Sequence, residues 1–170
     1  MKNTEEGFTL VELMVTLAVV VILMAVAIPS FNEAMLGSKL TSNANDFVAS
    51  LNKARSEAIT RNSMVTLCAS TCPTSNPTCT CAAGGGWEQG WIVLAGAETL
   101  LRHAELDTGL KMSEAGGKVE IDLQPTGVGA DQATITLCQN TPYAGSQERV
   151  INVSATGRAS LISTQNGACP

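Results

Sequence analysis

The order of apolar and polar residues divides the chain into an apolar segment, an amphipathic segment and a strand-rich remainder. From Phe8 to Ile28 there are 21 residues, and Glu12 is the only charged one among them. As a helix that rises about 1.5 Å per residue, this segment is roughly 32 Å long, which matches the ~30 Å hydrocarbon core of a bilayer. The pattern predicts a membrane-spanning helix over residues 8–30.

The helical pattern continues beyond Pro29 with a different polarity. Apolar residues recur there at steps of three and four, which places them along one face of a helix. Charged side chains fall on the other faces. We therefore predict an amphipathic helical half over residues 31–62, with kinks or local unwinding at Pro29 and Gly37. The predicted core stripe consists of Leu40, Ala44, Phe47, Leu51, Ala54 and Ala58.

From Ser63 the apolar period changes to 2, and turn residues separate the short runs. These runs predict an antiparallel β domain over residues 63–170, with a hairpin that turns at residues 95–97. The predicted fold class is α+β, with a long N-terminal helix packed on a C-terminal antiparallel β-sheet domain. The predicted strands are Met64–Cys68, Trp87–Leu94, Thr99–Leu106, Lys118–Leu123, Ala133–Cys138, Arg149–Ser154 and Arg158–Ser163.

Glu12 requires an explanation, because a carboxylate at the centre of a membrane helix costs about 2.5–3.5 kcal/mol on insertion scales. Neither a plain membrane anchor nor a secretory signal peptide, whose apolar core is about 7–15 residues, accounts for it. A third interpretation treats residues 1–7 as a hydrophilic leader that is cut after Gly7, which leaves Phe8 as a new N-terminus. The free amine of Phe8, on the same or a neighbouring subunit, is then the nearest cation for Glu12.

The run from Gly7 through Phe8 to Glu12, followed by apolar residues to Pro29, resembles the class III signal of type IV pilins and type II secretion pseudopilins. The resemblance implies that a prepilin peptidase cuts after Gly7 and methylates the amine of Phe8. It also implies that Glu12 sets the register as a subunit enters a filament. Glu12 is therefore expected to be an assembly residue and not a catalytic one.

Four later stretches narrow the resemblance to the GspH/FimT/FimU group. They are NKARSEAITRNSMVTL from Asn52, WEQGWIV from Trp87, LQPTG from Leu123 (where the group has F-x-P-x-G) and VSATGR from Val153. The resemblance implies the pilin fold and the role of a minor pilin that helps to initiate and assemble a type IV pilus. A type II secretion minor pseudopilin of the same fold is the first alternative.

The resemblance also implies a location and a set of partners. The chain is expected to cross the bacterial inner membrane once, with its β domain in the periplasm, and then to enter the pilus filament. Its expected partners are the prepilin peptidase, other minor pilins and the major pilin.

All six cysteines lie beyond residue 67, which together with an exported N-terminus predicts an oxidising compartment and disulfides. The first four have the spacing C-x3-C-x6-C-x-C, which differs from that of zinc knuckles, so we predict no metal site. A bond between the last two would pin the C-terminus, and the first four can nest across a loop. The favoured pairs are Cys138–Cys169, Cys68–Cys81 and Cys72–Cys79, and Cys68–Cys138 is an open alternative.

The charge of the chain bears on a role in DNA binding. There are 10 Lys and Arg against 15 Asp and Glu, a formal net charge of −5, which argues against a generally basic nucleic-acid binder. Some FimT-type pilins, which this chain resembles, bind DNA through a C-terminal G-R-x-R motif. Here Arg158 matches its first arginine, and Ser160 replaces the second. Arg158 is a candidate DNA contact, to which Arg149 and Lys118 would add if the fold brings them close.

Enzymatic chemistry finds little support in the sequence. His103 is the only histidine, and no nucleophile motif accompanies it. We predict that the protein is not an enzyme and binds no cofactor.

The leader hypothesis predicts the mass of the mature protein. An intact-mass measurement of the chain purified from membranes should give a polypeptide that begins at Phe8 and carries one methyl group on its amine. A polypeptide that retains Met1, or one that begins at Ile28 after the Ala-Val-Ala sequence, would exclude the class III interpretation.

Overall fold

One long helix and two antiparallel sheets make up the protein in this computed structural model, which describes residues 8–72, 79–126, 131–143, 145–167 and 169. Helix α1 spans Leu10–Arg61. The chain divides into two compact units, Met1–Leu36 and Gly37–Pro170. The division falls inside α1, so the second half of the helix belongs to the same unit as the sheets. The predicted α+β class and its long helix are confirmed.

Helix α1 runs without interruption through Pro29 and Gly37, so the prediction of local unwinding there is wrong. A proline removes one backbone donor, and the intact turns on both sides keep the helix continuous. The helix ends where the sequence predicts. Asn62 adopts a left-handed conformation (φ 49°), its N–H donates to Ile59 O, and the Ser63 N–H donates to Ala58 O. These two bonds form a Schellman motif, which satisfies the last carbonyls of the helix.

Within the described residues, the strands form two four-stranded sheets; the prediction of an antiparallel β domain did not specify the number of sheets. The first sheet has the order β3-β2-β1-β5 and the second β4-β6-β7-β8, and every neighbouring pair is antiparallel. The strands are β1 Val65–Ala69, β2 Trp91–Ala95, β3 Glu98–His103, β4 Leu110–Glu114, β5 Glu120–Leu123, β6 Ala133–Gln139, β7 Glu148–Val153 and β8 Ala159–Thr164.

Two details of the predicted strands are wrong. Trp87–Gln89 forms a 3₁₀ turn and β2 begins only at Trp91, because Gly90 between them has φ 104°. A Cβ at Gly90 would lie 2.7 Å from His103 O, so the chain needs glycine there. The sequence also gave no sign of β4, a five-residue strand that contains two charged residues and is held by its pairing with β6.

The buried face of α1 packs on two tryptophans of the first sheet and its flanking turn. The ring of Phe47 meets the rings of Trp87 and Trp91 edge to face, with centroids 5.2 Å apart in both pairs. The Trp91 Nε1–H donates a 2.9 Å hydrogen bond to Ser50 Oγ, which is buried beside it. The predicted stripe is confirmed, since each of its six residues is completely buried: Leu40, Ala44, Phe47, Leu51, Ala54 and Ala58.

Removal of the Ser50 hydroxyl should destabilise this interface. In the variant Ser50→Ala the Trp91 indole N–H is left buried without its acceptor, which costs about 1–3 kcal/mol. Urea denaturation of the detergent-solubilised full chain should show this loss in the free energy of unfolding. Ser56 is exposed on the same helix, so Ser56→Ala is the matched control and should change stability by less than about 0.5 kcal/mol. Equal stability of the two variants would refute the role given to this bond.

Candidate assembly site

The first half of α1 presents an apolar surface that the rest of the described chain does not cover. Every residue from Phe8 to Met35 is exposed, and Phe8 itself is 86% exposed. The most apolar 18-residue window of α1 has a mean hydropathy of 2.8, and within the described residues α1 is the one helix long and apolar enough to cross a membrane. Exposed apolar area costs about 25 cal/mol per Å² in water, so lipid or other helices must cover this surface.

Thr9 and Glu12 close the N-terminus of α1 as a capping box. The Glu12 N–H donates to Thr9 Oγ1 (3.2 Å), and the Thr9 N–H donates in return to Glu12 Oε2 (3.4 Å). The carboxylate thereby lies in the first turn, where its negative charge also interacts favourably with the helix dipole. The donors of both bonds are uncharged, so neither bond neutralises the carboxylate. The Thr-x-x-Glu spacing is the sequence signal for this box, and the sequence analysis did not use it.

Of the two predicted processing residues, Phe8 lies within the described residues and Gly7 does not. Phe8 precedes the capping box and its ring is exposed. Gly7, where cleavage is predicted, lies outside the described residues. Both roles stay predictions.

Arg149 of β7 ties the start of the buried half of α1 to the second sheet. Its Nε–H donates to Thr41 Oγ1 (3.1 Å) and its Nη2–H to Gly37 O (3.3 Å), both on the helix. Its Nη1–H donates to Ser163 Oγ of β8 (2.9 Å). A Cβ at Gly37 would lie 2.5 Å from Gln147 Oε1, so glycine allows the close approach of the loop before β7. From the sequence, Arg149 is a candidate only for DNA contact, and its hydrogen bonds to α1 were not predicted.

The charged end of α1 is joined to β3. Arg61 pairs with Glu57 on the helix (2.8 Å) and with Glu98 of β3 (2.5 Å), and Lys53 also pairs with Glu57. The hydrogen bonds from Lys53 and Arg61 lower the pKa of Glu57, and those to Glu98 and Glu57 raise the pKa of Arg61. Because these groups are solvent-exposed, the network contributes little to stability.

The structure does not assemble the basic patch that would support DNA binding. Arg158 is exposed directly before β8 and lines a cavity of about 640 Å³. Lys118 pairs with Asp131 at 2.9 Å. Arg149 lies opposite Ser163, five residues further along β8, or about 16 Å away at 3.3 Å per residue. Arg149 is therefore too far from Arg158 to share a patch with it, and the charge of Lys118 is paired with that of Asp131.

His103 has a packing role. Its ring stacks on its cross-strand partner Trp91, with centroids 3.8 Å apart and planes 6° apart. Its Nε2 lies 3.7 Å from Asp46 Oδ2 on α1. Within the described residues, no group of three or more His, Cys, Asp or Glu side chains could hold a metal ion.

The structure contains the three cysteine pairs that the sequence analysis favours: Cys68–Cys81, Cys72–Cys79 and Cys138–Cys169. The alternative Cys68–Cys138 pair is not formed, because Cys68 is bonded to Cys81 and Cys138 to Cys169. Cys138–Cys169 joins the C-terminal segment to β6 across 31 residues, which contributes about 3.5 kcal/mol in the chain-entropy treatment.

An exposed apolar half-helix, an amphipathic half on antiparallel sheets and a carboxylate in the first helical turn together define a pilin-like protein. Two family comparisons agree with this class. Residues 2–28 match the profile described as the prokaryotic N-terminal methylation motif, and residues 43–157 match that of type II transport protein GspH. The second match covers more than half of the chain, so the chain belongs to the GspH family, whose members are minor pilins and pseudopilins.

Solved structures with the same fold include two crystal forms of the type IV minor pilin FimU from Pseudomonas aeruginosa. The P21 form is 22% identical, with a TM-score of 0.57, and the match covers 77% of this chain and 96% of FimU. The P65 form is 21% identical, with a TM-score of 0.55, and the match covers 76% and 100%. At this identity the likeness shows the fold alone. Among curated proteins, no sequence matches this chain significantly.

Loss of the Arg149 hydrogen bonds should loosen α1 from the second sheet. The variant Arg149→Met keeps most of the side-chain length but removes the guanidinium bonds to Thr41 Oγ1, Gly37 O and Ser163 Oγ. Gly37 O still accepts a bond from Thr41 Oγ1, so the main loss falls on Thr41 and Ser163. Because hydrogen bonds to charged groups contribute about 1.5–3 kcal/mol, the free energy of unfolding should fall by that amount.

Arg158→Met is the matched control, since Arg158 is exposed and forms no ion pair with a described residue. Urea denaturation of both detergent-solubilised variants provides the measurement. Equal stability of the two would contradict the docking role of Arg149.

Proposed function

We propose that this chain is a minor pilin that takes part in initiating and assembling a type IV pilus. The observation that carries the proposal is the uncovered apolar half of α1, in which Glu12 is the only charged residue between Phe8 and Ile28. Before assembly this segment spans the bacterial inner membrane once, with the β domain in the periplasm. During assembly it leaves the lipid and packs among the helices of the filament core.

Processing at the N-terminus creates the cation that Glu12 requires. The prepilin peptidase cuts after Gly7 and methylates the amine of Phe8. An α-amine has a reference pKa near 7.7–8.0, so it is mostly protonated at neutral pH. The Glu12 carboxylate attracts this amine on the same or a neighbouring subunit, and a medium of low dielectric strengthens the attraction. Thr9 contributes by holding the carboxylate in the first turn.

The register of assembly follows from the cost of an unpaired charge. A subunit displaced along the filament axis would leave its carboxylate buried without a cation, which is costly in an apolar environment. The correctly placed subunit avoids that cost. The β domain then contacts other minor pilins and the major pilin, and the protein has no enzymatic role.

The second candidate function is that of a minor pseudopilin in type II secretion. The family profile that matches residues 43–157 bears the name of a type II transport protein, whereas the similar crystal structures are those of a type IV minor pilin. The physical role of α1 and Glu12 is the same in both. DNA binding has less support, because Arg149 and Lys118 are engaged in other contacts and the chain is acidic overall.

The charge of Glu12 should control entry into filaments. In cells that make pili, full-length Glu12→Gln should be processed normally, because Gln keeps the size of the side chain and can still accept the Thr9 N–H. Its amount in sheared filaments should fall about tenfold or more, which corresponds to about 1.4 kcal/mol of lost pairing energy. Quantitative mass spectrometry of sheared filaments and of membranes provides the measurement.

Glu33→Gln is the matched control, since Glu33 is exposed on the same helix beyond the apolar run, and its filament content should match that of the wild type. Wild-type abundance of Glu12→Gln in filaments would refute the role of Glu12. A wild-type chain absent from sheared pili but needed for protein export would favour the pseudopilin.

A further inference from the structure

The four edge strands of the two sheets differ in how they are protected. Proteins usually blunt an exposed edge with charged side chains, proline or a covering segment, because unpaired peptide groups invite another strand. Three edges follow this rule, and the Met112 N–H of β4 is moreover covered by the Glu88 carboxylate (3.3 Å). β8 contains neither a charged residue nor a proline. The charged residues of the other edges are Glu98 and Arg102 in β3, Lys111 and Glu114 in β4, and Glu120 and Asp122 in β5.

The peptide groups that β8 turns outward can be assigned from the register. The Ser154 N–H donates to Arg158 O (3.0 Å) at the turn that joins β7 to β8. Hydrogen-bonded and non-hydrogen-bonded pairs alternate along an antiparallel ladder, so every second residue from this pair bonds to β7. Those residues are Ser160, Ile162 and Thr164. The N–H and C=O groups of Ala159, Leu161 and Ser163 therefore point away from β7.

The side chains of β8 are also uncovered. Leu161 is 37% exposed and its neighbour Ile162 is 49% exposed, and successive residues of a strand lie on opposite faces. The described part of the C-terminal segment leads inward from β8, because Cys169 is bonded to Cys138 on β6, two strands from the edge. An added strand would cover the outward peptide groups and both apolar side chains at once.

The charges at this edge restrict what can bind there. Arg158 is exposed directly before β8, and it has no ion pair with a described residue. A matching strand is therefore uncharged in its middle and has a carboxylate at the end that meets Arg158. A nucleic acid backbone does not fit, since its phosphates are acceptors and leave the three outward carbonyls of β8 without donors.

A second copy of this chain fits less well than a different chain. An antiparallel pairing of two β8 strands centred on Leu161 would place Thr164 opposite Arg158, and Thr164 has no carboxylate. Glu148, the acidic residue beside Thr164, is only 2% exposed. The other edges of a second copy would bring their charged residues against Leu161 and Ile162.

We propose that the outer edge of β8 binds an extended strand from the sheet edge of another pilin-type β domain, which extends the second sheet to five strands. This proposal rests on the proposed function, because the partner is a neighbouring subunit of the same assembly. Three outward donors and three outward acceptors on β8 fix the register of the added strand. Arg158 pairs with a carboxylate of the partner and orients it.

The test is made with the full-length chain in cells that make pili. Ile162→Lys introduces at β8 the charge that the other edges carry, and it should lower the chain's content in sheared filaments about tenfold. Glu120→Lys, an exposed substitution on the edge strand β5, is the matched control and should leave the content unchanged. Both variants should be processed at Gly7 and should melt at the temperature of the wild type.

A second variant and a cross-linking experiment test the proposal independently. Arg158→Glu should lower the filament content several-fold, whereas Arg158→Lys should not. If Ile162→Lys melts at a lower temperature than the wild type, this pair of variants decides between the outcomes. A photoreactive p-benzoylphenylalanine at position 162 should form an adduct that peptide mass spectrometry locates on an edge strand of another pilin.

The outcomes separate this proposal from the proposed function. Wild-type filament content of Ile162→Lys and Arg158→Glu, with Glu12→Gln still excluded, would overturn the β8 site and leave the assembly function standing. An adduct with a second copy alone would also overturn it. Absence of the wild-type chain from every filament would overturn both.

Discussion

The rest of the structure depends on the burial of one helical stripe, from Leu40 to Ala58, against the first sheet and its flanking turn. Full burial of a large apolar side chain stabilises by about 1.5–3 kcal/mol, and Phe47 also gains edge-to-face contact with Trp87 and Trp91. Since this stripe fixes the second half of α1 to the β domain and contains no residue of the first half, its pattern does not constrain the first half. That half is free to be apolar on all sides, which a helix that packs only on its own sheet cannot be.

The capping box alone does not offset the cost of placing the Glu12 carboxylate in an apolar segment. A helix cap contributes about 1 kcal/mol, whereas a carboxylate at the centre of a membrane helix costs about 2.5–3.5 kcal/mol. Glu12 lies in the first turn, where the cost falls toward the membrane interface, and its box with Thr9 offsets part of the remainder. In the proposed filament the same carboxylate is surrounded by other helices. In that proposal, a cation such as the amine of Phe8 neutralises the carboxylate, which the cap does not do.

Local patterns predicted the elements well, and contacts between distant residues decided what was missed. The period of 3.6 located all six core residues of α1, because a residue's place on a helix depends on its spacing alone. The strand expected from Trp87 failed because Gly90 adopts a positive φ under tertiary contact with His103. The contacts of Arg149 with Gly37 and Thr41 join residues more than 100 positions apart. The division into two sheets depends on pairings between separated segments, such as β1 with β5. No local pattern encodes either. The capping box was readable from the sequence, since Thr9 and Glu12 have the required spacing.

The two surfaces proposed for assembly supply different kinds of information. Burial of the apolar half of α1 is strong but non-directional, so it cannot by itself distinguish one subunit from another or one rotation from the next. Glu12 adds an axial register. A sheet edge adds directional hydrogen bonds at fixed spacing, and a charge such as Arg158 rejects a strand that lacks its complement. In a filament whose helices share an apolar core, the β domain must therefore select the neighbouring subunit. In the present proposal, the uncharged edge of β8 is the surface that does so.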